Sequence, residues 1–143
     1  MQLEQLKSRI PLEAYTFFTQ DDFHDSHIFS LKVKNKFNPF MDVDEEDILE
    51  NDPTLIEAHL LHASGDEYLI RWSGVNKFLM DYDIQRNTYH DSDRIVCDGQ
   101  RGLDDWMVDE LTSYNDEYLC HEIVLASDTT MMIRCRTIEV VKL

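Results

Sequence analysis

The densest group of ligand-capable side chains lies at residues 21–27, which read Asp-Asp-Phe-His-Asp-Ser-His. Imidazole and carboxylate groups bind transition metals or transfer protons in acid-base catalysis. In an extended chain His24 faces the opposite side from Asp25 and His27, so a metal would need further ligands from elsewhere. The cluster defines one alternative function, a small metal-dependent enzyme or metal-binding protein that uses these three residues. The competing interpretation is structural, with Asp25 or Ser26 bonding backbone where a strand begins.

The other histidines are dispersed along the chain. His59 and His62 are three residues apart in a predicted strand, which places them on opposite faces. His90 and His121 each precede a carboxylate, but adjacent side chains diverge in an extended chain. The spacing of His59 and His62 argues against a shared metal, an inference that a helix at these residues would reverse. For His90 and His121 we expect an imidazole that is solvated or satisfied within the core.

The motifs of other common chemistries are incomplete or absent. A calcium-loop pattern begins with Asp42, Asp44 and Glu46. It fails where Asp47 takes the place of the invariant glycine and Pro53 takes the place of the bidentate glutamate. The sequence has no Gly-x-Ser-x-Gly elbow, and its four glycines form no phosphate-binding loop. We therefore expect no enzyme activity and no cofactor.

The net charge of the chain is -16, from 29 acidic and 13 basic residues. Phosphate groups and anionic lipids repel such a chain, so we expect no direct binding to nucleic acid and none to membranes. The excess lies in three segments, 42–52, 81–93 and 98–117, whose net charges are -7, -3 and -6. A chain with this field attracts cationic partners, so the expected partner is a basic protein.

The predicted partner-binding residues lie in and beside the first acidic segment. The charged contacts are six carboxylates: Asp42, Asp44, Glu45, Glu46, Asp47 and Glu50. The apolar anchors are Phe37 and Phe40, in a loop that also holds a proline and a methionine. Large apolar side chains in an exposed loop often anchor a protein interface. The alternative is that this loop folds back over the core.

Two helices are predicted around the strands. The first is an amphipathic helix at 2–10, which Pro11 ends, followed by a short turn at 12–18. The second lies at 103–111, where apolar residues recur at i, i+3, i+4 and i+8 from Leu103.

Alternation of apolar and polar residues predicts strands at 26–34, 54–63, 67–73, 77–82, 118–126 and 130–140. Turns at Ser64-Gly65-Asp66 and Ser127-Asp128-Thr129 join them into hairpins. Parallel winding would require a helix after each strand. We predict a single domain over residues 1–143 of the α+β class, a single curled antiparallel sheet of hairpins with an N-terminal helix and one later helix packed on it.

The cysteines and the N-terminus predict the compartment. Cys97, Cys120 and Cys135 are odd in number and far apart, which favours reduced thiols over a disulfide framework. Residues 1–10 lack the continuous apolar run of a secretory signal, and no apolar stretch is long enough to span a bilayer. We therefore expect a cytoplasmic protein.

Three short motifs lie at residues 23–28, 68–75 and 109–111, the last one before a C-terminal hairpin. They read Phe-His-Asp-Ser-His-Ile, Tyr-Leu-Ile-Arg-Trp-Ser-Gly-Val and Asp-Glu-Leu. Together they resemble a group of small uncharacterised bacterial proteins of the toxin-immunity type. The resemblance implies a protein that neutralises a co-encoded toxin, and it carries no catalytic residue to this chain. The acidic segment 42–52 is longer than the loop that the resemblance implies.

The leading prediction is a cytoplasmic immunity or inhibitor protein that covers the cationic cleft of a basic toxin, such as a nuclease. Clustered carboxylates compete for such a cleft and raise the association rate. One alternative is the metal-dependent protein described above. Another is a phage-encoded mimic of nucleic acid, which shares the same electrostatics. The leading prediction requires that carboxylates distant along the chain gather on one exposed face.

Overall fold

The computed structural model describes residues 3–35, 54–85 and 102–143, which contain two helices and eight strands. The helices are α1 (Leu3–Leu6) and α2 (Leu12–Gln20). The strands are β1 (His27–Asn35), β2 (Thr54–Leu61), β3 (Glu67–Ser73), β4 (Lys77–Asp81), β5 (Asp104–Ser113), β6 (Leu119–Leu125), β7 (Thr130–Cys135) and β8 (Thr137–Lys142). No helix in these three ranges is long and apolar enough to cross a membrane.

The predicted α+β class is wrong, because the structure is mostly antiparallel sheet, with 55% strand against 13% helix. The helix predicted at 103–111 is strand β5. A β-bulge between Trp106 and Val108 accounts for the error. The bulge adds one residue to β5, so the side chains that point inward are those of Trp106, Asp109 and Leu111, and the first two are three residues apart instead of two. Apolar residues therefore fall at nearly helical spacing in a strand.

The N-terminal helix also differs from its prediction. Helix α1 has only four residues, whereas α2, predicted as a short turn, has nine. Pro11 precedes α2 at its N-cap position, with the fixed φ of proline. Ala14 and Phe17 of α2 are buried together with Leu6 and Ile10. The N-terminal segment thus adds apolar side chains to the core of the sheet and forms no second layer of its own.

The clearest predicted hairpins are confirmed. Strands β2 and β3 pair from Leu55 with Ser73 to Leu61 with Glu67, around the turn that contains Gly65. Strands β6 and β7 pair in the same antiparallel manner across the second predicted turn. The last predicted strand, however, is interrupted at Arg136, and its second half, β8, pairs with β3 instead.

The strand order is β4-β7-β6-β5-β1-β2-β3-β8. Along the chain, β3 leads into β4 past Gly74, and β7 leads into β8 past Arg136. The amide of Arg136 donates to the carbonyl of Ser73 at 2.9 Å, and the amide of Asn76 donates to the carbonyl of Arg134 at 3.0 Å. Strands β3 and β4 thus act as one bent strand, which pairs along its length with the bent strand made of β7 and β8. This pairing joins the two ends of the strand order, so the sheet is closed.

The inward side chains fill the closed sheet. Trp72 and Trp106 are fully buried there, and every second residue of β6, from Leu119 to Leu125, is buried. The ring of Phe23 lies 4.9 Å from that of Trp106 and 4.3 Å from that of Phe17 in α2. Both tryptophans therefore belong to the core, and the outward residues of the strands remain for surface contacts.

Gly102 provides a test of this closure, because it lies where β1 and β5 meet. Its φ is +82°, and an added Cβ would lie 2.5 Å from His27 Nε2 and 2.9 Å from the Ile28 carbonyl. Gly65 has a similar φ, +94°, but nothing lies within 4 Å of its added Cβ. We expect Gly65→Ala to lower the free energy of unfolding by about 1 kcal/mol and Gly102→Ala to lower it by about twice that or more. Urea denaturation measures both, and equal losses would contradict the close packing at Gly102.

Candidate functional site

The partner-binding residues predicted from sequence lie outside the described residues. They are Phe37, Phe40, Asp42, Asp44, Glu45, Glu46, Asp47 and Glu50. The contacts proposed for these eight side chains therefore stay a prediction. His90 and Cys97 also lie outside the described residues.

His24, Asp25 and His27 do not converge on one point. His24 is exposed, with Nδ1 2.6 Å from the Met107 carbonyl and Nε2 3.4 Å from the Asp25 carboxylate. His27 is buried, with Nδ1 2.7 Å from Asp105 Oδ1. Across the described ranges, no three His, Cys, Asp or Glu side chains are grouped so that they could hold a metal ion. His24 instead bonds the segment just before β1 to β5, and His27 bonds the first residue of β1 to β5.

His62 fastens the loop after α2 to the turn between β2 and β3. The Ser64 amide donates to His62 Nδ1 at 3.1 Å, so the other ring nitrogen carries the proton. That nitrogen, Nε2, donates to the Asp22 carbonyl at 2.8 Å. His62 is therefore a structural residue.

His121 lies at the centre of a polar network inside the sheet. It is fully buried, and the indole N–H of Trp72 donates to its Nδ1 at 2.9 Å. An indole can only donate, so the imidazole proton is on Nε2, which donates to Asp109 Oδ2 at 2.6 Å. Trp106 donates to the other oxygen of Asp109 at 3.3 Å. The network satisfies buried polar groups that would otherwise destabilise the core.

The Asp109 carboxylate also reaches a cavity of about 150 Å³ beside α1 and α2. Asp21 and Asp22 contribute to the same wall. Asp21 lies 3.4 Å from His62 Nε2, and Asp22 accepts the His24 amide at 3.1 Å. Each of these carboxylates thus has a partner within the chain, and the cavity belongs to the packing of the N-terminal segment.

The two described thiols are held mainly in their protonated form at neutral pH. Burial, with a smaller effect of Cys120, raises the pKa of the Cys135 thiol to about 12. Burial and the neighbouring Glu122 carboxylate raise the pKa of Cys120 as well. The reactive form is the thiolate, which is scarce at both positions.

Several carboxylates on the outer surface of β1, β2, β3 and β8 are neutralised within the chain. Burial opposes ionisation of Glu57, but Lys34 and Arg71, each 3.3 Å away, lower its pKa overall. Arg71 also reaches Glu139 at 3.3 Å, and Lys142 reaches Asp66 at 3.3 Å. Glu57, Glu139 and Asp66 are therefore paired with cations, whereas Glu67 on the same half lies 3.6 Å from His59.

The other half differs, and its outer surface is here called the groove face. It consists of outward residues of β5, β6, β7 and β4, which lie in rows across the strands. The first row is Val108, Val124, Thr130 and Asp81, and the second is Glu110, Glu122, Met132 and Leu79. The third row is Thr112, Cys120, Arg134 and Lys77.

The centre of the groove face is apolar and concave. A groove of about 410 Å³ runs over β4, β7 and β6, with Leu79, Val124 and Met132 among its walls. Leu79 is 55% exposed and Val124 is 37% exposed, although both are large apolar side chains. Exposed apolar side chains that lie together are typical of binding surfaces.

Two carboxylates, Asp81 and Glu122, line this groove, and Glu110 lies opposite Glu122 on β5. Asp81, Glu110 and Glu122 are exposed, and none of them forms an ion pair with a lysine or arginine of the described residues. Asp81 belongs to the acidic segment 81–93 and Glu110 to the segment 98–117. The fold therefore brings one residue from each of two acidic segments to the same face.

The third row of the groove face is basic. The Arg134 guanidinium lies 4.2 Å from the ring centre of Tyr114 and donates to Asn76 at 2.8 Å. Lys77 is exposed at the end of β4. The groove face thus has an acidic part in its first two rows and a basic border in its third.

Sequence reasoning missed the groove face. Alternation in β6 does place Glu122 and Val124 on the same side of that strand. In the helix predicted at 103–111, however, Val108 and Glu110 would not lie opposite the residues of β6. The face becomes visible only when the register of four strands is known, and β4 lies beside β7, far from it in sequence.

Comparison with models of known protein families gives no match, and no curated protein sequence matches the chain significantly. The resemblance to immunity-type proteins therefore stays a prediction.

The pKa of His24 tests the local geometry at the start of β1. The Met107 carbonyl and then the Asp25 carboxylate raise it above its ordinary value of 6.5. The folded protein thus holds this proton more tightly than the unfolded chain does. The resulting stabilisation is fully present below pH 6.5 and is lost as the pH rises through the folded pKa.

We expect an NMR titration of His24 to give a pKa above 6.5 and Asp25→Asn to lower it. Asp116→Asn, which removes an equal charge at another exposed position, should leave the pKa unchanged. A His24 pKa at or below its ordinary value would show that these contacts do not form.

Proposed function

We propose that the chain is an immunity-type inhibitor that binds a basic protein, such as a nuclease toxin, through the groove face. One observation carries the proposal: exposed apolar side chains and carboxylates without a described basic partner lie on the same surface. Specific interfaces commonly have an apolar centre and a polar border. A basic partner would bury Leu79 and Val124 and supply cations to Asp81, Glu110 and Glu122.

The electrostatics favour fast binding of such a partner. A net charge of -16 attracts a cationic protein over distances up to about the Debye length, roughly 8–10 Å at cellular ionic strength. A toxin that acts on nucleic acid exposes lysines and arginines for the phosphates. Carboxylates on an inhibitor compete for those residues and raise the association rate. An inhibitor of this kind would act in the cytoplasm, where its toxin meets nucleic acid.

The apolar centre of the groove face favours a protein partner over mimicry of nucleic acid. A mimic requires regularly spaced negative charges in place of phosphates. The first two rows instead combine three carboxylates with Leu79, Met132, Val108 and Val124. Side chains of this type fill pockets in protein interfaces and supply much of the binding energy.

Co-expression tests the proposal. The basic proteins encoded beside the gene for this chain are each expressed alone and together with the chain, and growth is measured. We expect one of them to arrest growth alone and the chain to restore it. The triple variant Asp81→Asn, Glu110→Gln, Glu122→Gln should lose most of this protection, because it removes the charges of the groove face.

A matched triple variant controls for total charge. Asp66→Asn, Glu117→Gln and Glu139→Gln remove the same charge from carboxylates that are ion-paired within the chain. This variant should still protect. Growth arrest by none of the neighbours, protection by both triple variants, or no rescue by the unaltered chain would each refute the proposal.

A further inference from the structure

Two carboxylates of the groove face lie directly opposite each other. Glu110 of β5 pairs with Glu122 of β6, and both are exposed. Side chains in directly opposed positions of an antiparallel pair have Cβ atoms about 5 Å apart, and like charges there are destabilising. Neither carboxylate forms an ion pair with a lysine or arginine in the part of the chain that the structure describes.

Arg134 of β7 lies one strand away from Glu122 and one row along. Its side chain is held elsewhere, because the guanidinium stacks on Tyr114 and its Nε donates to Asn76 at 2.8 Å. Arg134 therefore does not offset the repulsion between Glu110 and Glu122.

The opposed carboxylates continue directly into the apolar groove. Glu122 pairs with Met132, and Met132 pairs with Leu79 on the end strand β4. At about 4.8 Å between strands, this row is roughly 14 Å long. One surface segment of a partner can therefore reach the carboxylates at one end of the row and the apolar side chains at the other.

We infer that Glu110 and Glu122 jointly receive one cationic side chain, lysine or arginine, from an amphipathic segment of the partner whose apolar side chains fill the groove. This inference rests on the proposed function and names the part of the partner that the groove face recognises. A cation between two opposed carboxylates forms two contacts and also relieves their repulsion. The planar fork of arginine fits two carboxylates especially well.

A second copy of the chain fits this surface less well than a basic segment. Self-association would bring together two chains that each carry a net charge of -16. It would also place further carboxylates near Glu110 and Glu122 unless the basic third row were used. An anionic membrane surface is disfavoured for the same reason.

Single variants separate this inference from a general effect of charge. Glu110→Gln and Glu122→Gln each remove one of the opposed charges. Glu117→Gln removes an exposed carboxylate that lies 3.7 Å from Arg136, so it is the matched control. We expect the first two to raise the thermal midpoint of the free protein by about 1–4 °C, because they end the repulsion. The control should leave the midpoint unchanged or lower it.

The binding probe is a short amphipathic peptide with leucines on one face and arginines along its border. Fluorescence anisotropy measures its affinity for each variant, beside versions with lysine or glutamine in place of arginine and one with scrambled order. We expect Glu110→Gln and Glu122→Gln to weaken binding of the arginine peptide by about 3- to 5-fold and the control variant to bind normally. The glutamine and scrambled peptides should bind weakly to every variant.

We therefore expect Glu110→Gln and Glu122→Gln each to have a higher thermal midpoint and a lower affinity for the arginine peptide than the unaltered chain. An unchanged or lower midpoint in both variants would show that no repulsion exists, and equal peptide affinity in all variants would place the cation elsewhere. Either result overturns the inference but leaves the growth assay to decide the proposed function. Both expected changes without growth rescue would support the inference for cationic segments while the inhibitor role fails.

Discussion

The closure of the sheet is the constraint on which the rest of the structure depends. Because β3 and β7 each bend and continue, at Gly74 and Arg136, one ladder joins both ends of the strand order. Gly74 has a φ of +64°, which favours glycine at that bend. Where a strand lies within the closed part of the sheet, one face is inside and one outside, so the period of two in the sequence decides which residues are core and which are surface.

Most of the described buried side chains that could act in catalysis or metal binding form hydrogen bonds within the core instead. His121 and Asp109 satisfy the two buried tryptophans, and His27 bonds Asp105 where β1 meets β5. Buried Asp104 accepts both the amide and the hydroxyl of Ser127, which fastens the turn between β6 and β7. Buried polar groups are retained when each one finds a partner. Binding therefore falls to the outer surface, where the two halves of the sheet differ in how many carboxylates are internally paired.

The sequence predicts the strands well where alternation is regular and fails where it is interrupted. β2, β3, β6 and β7 lie close to their predicted positions because they form two hairpins that pair in continuous register across short turns. The bulge beside Trp106 gives β5 the spacing of a helix, and this single residue led to the wrong fold class. Glu110 and Glu122 could not be recognised as a pair, because their opposition depends on the register of β5 with β6. Register is set by long-range packing, and no local pattern encodes it.

Carboxyl footprinting tests the central claim, that the groove face is the binding surface, most directly. Carbodiimide-driven labelling of each carboxylate, located by mass spectrometry, is compared between the free chain and its complex with the basic protein that it inhibits. The account predicts that Asp81, Glu110 and Glu122 lose reactivity in the complex while Asp66 and Glu139 keep theirs. Unchanged labelling at all three positions of the groove face would contradict it.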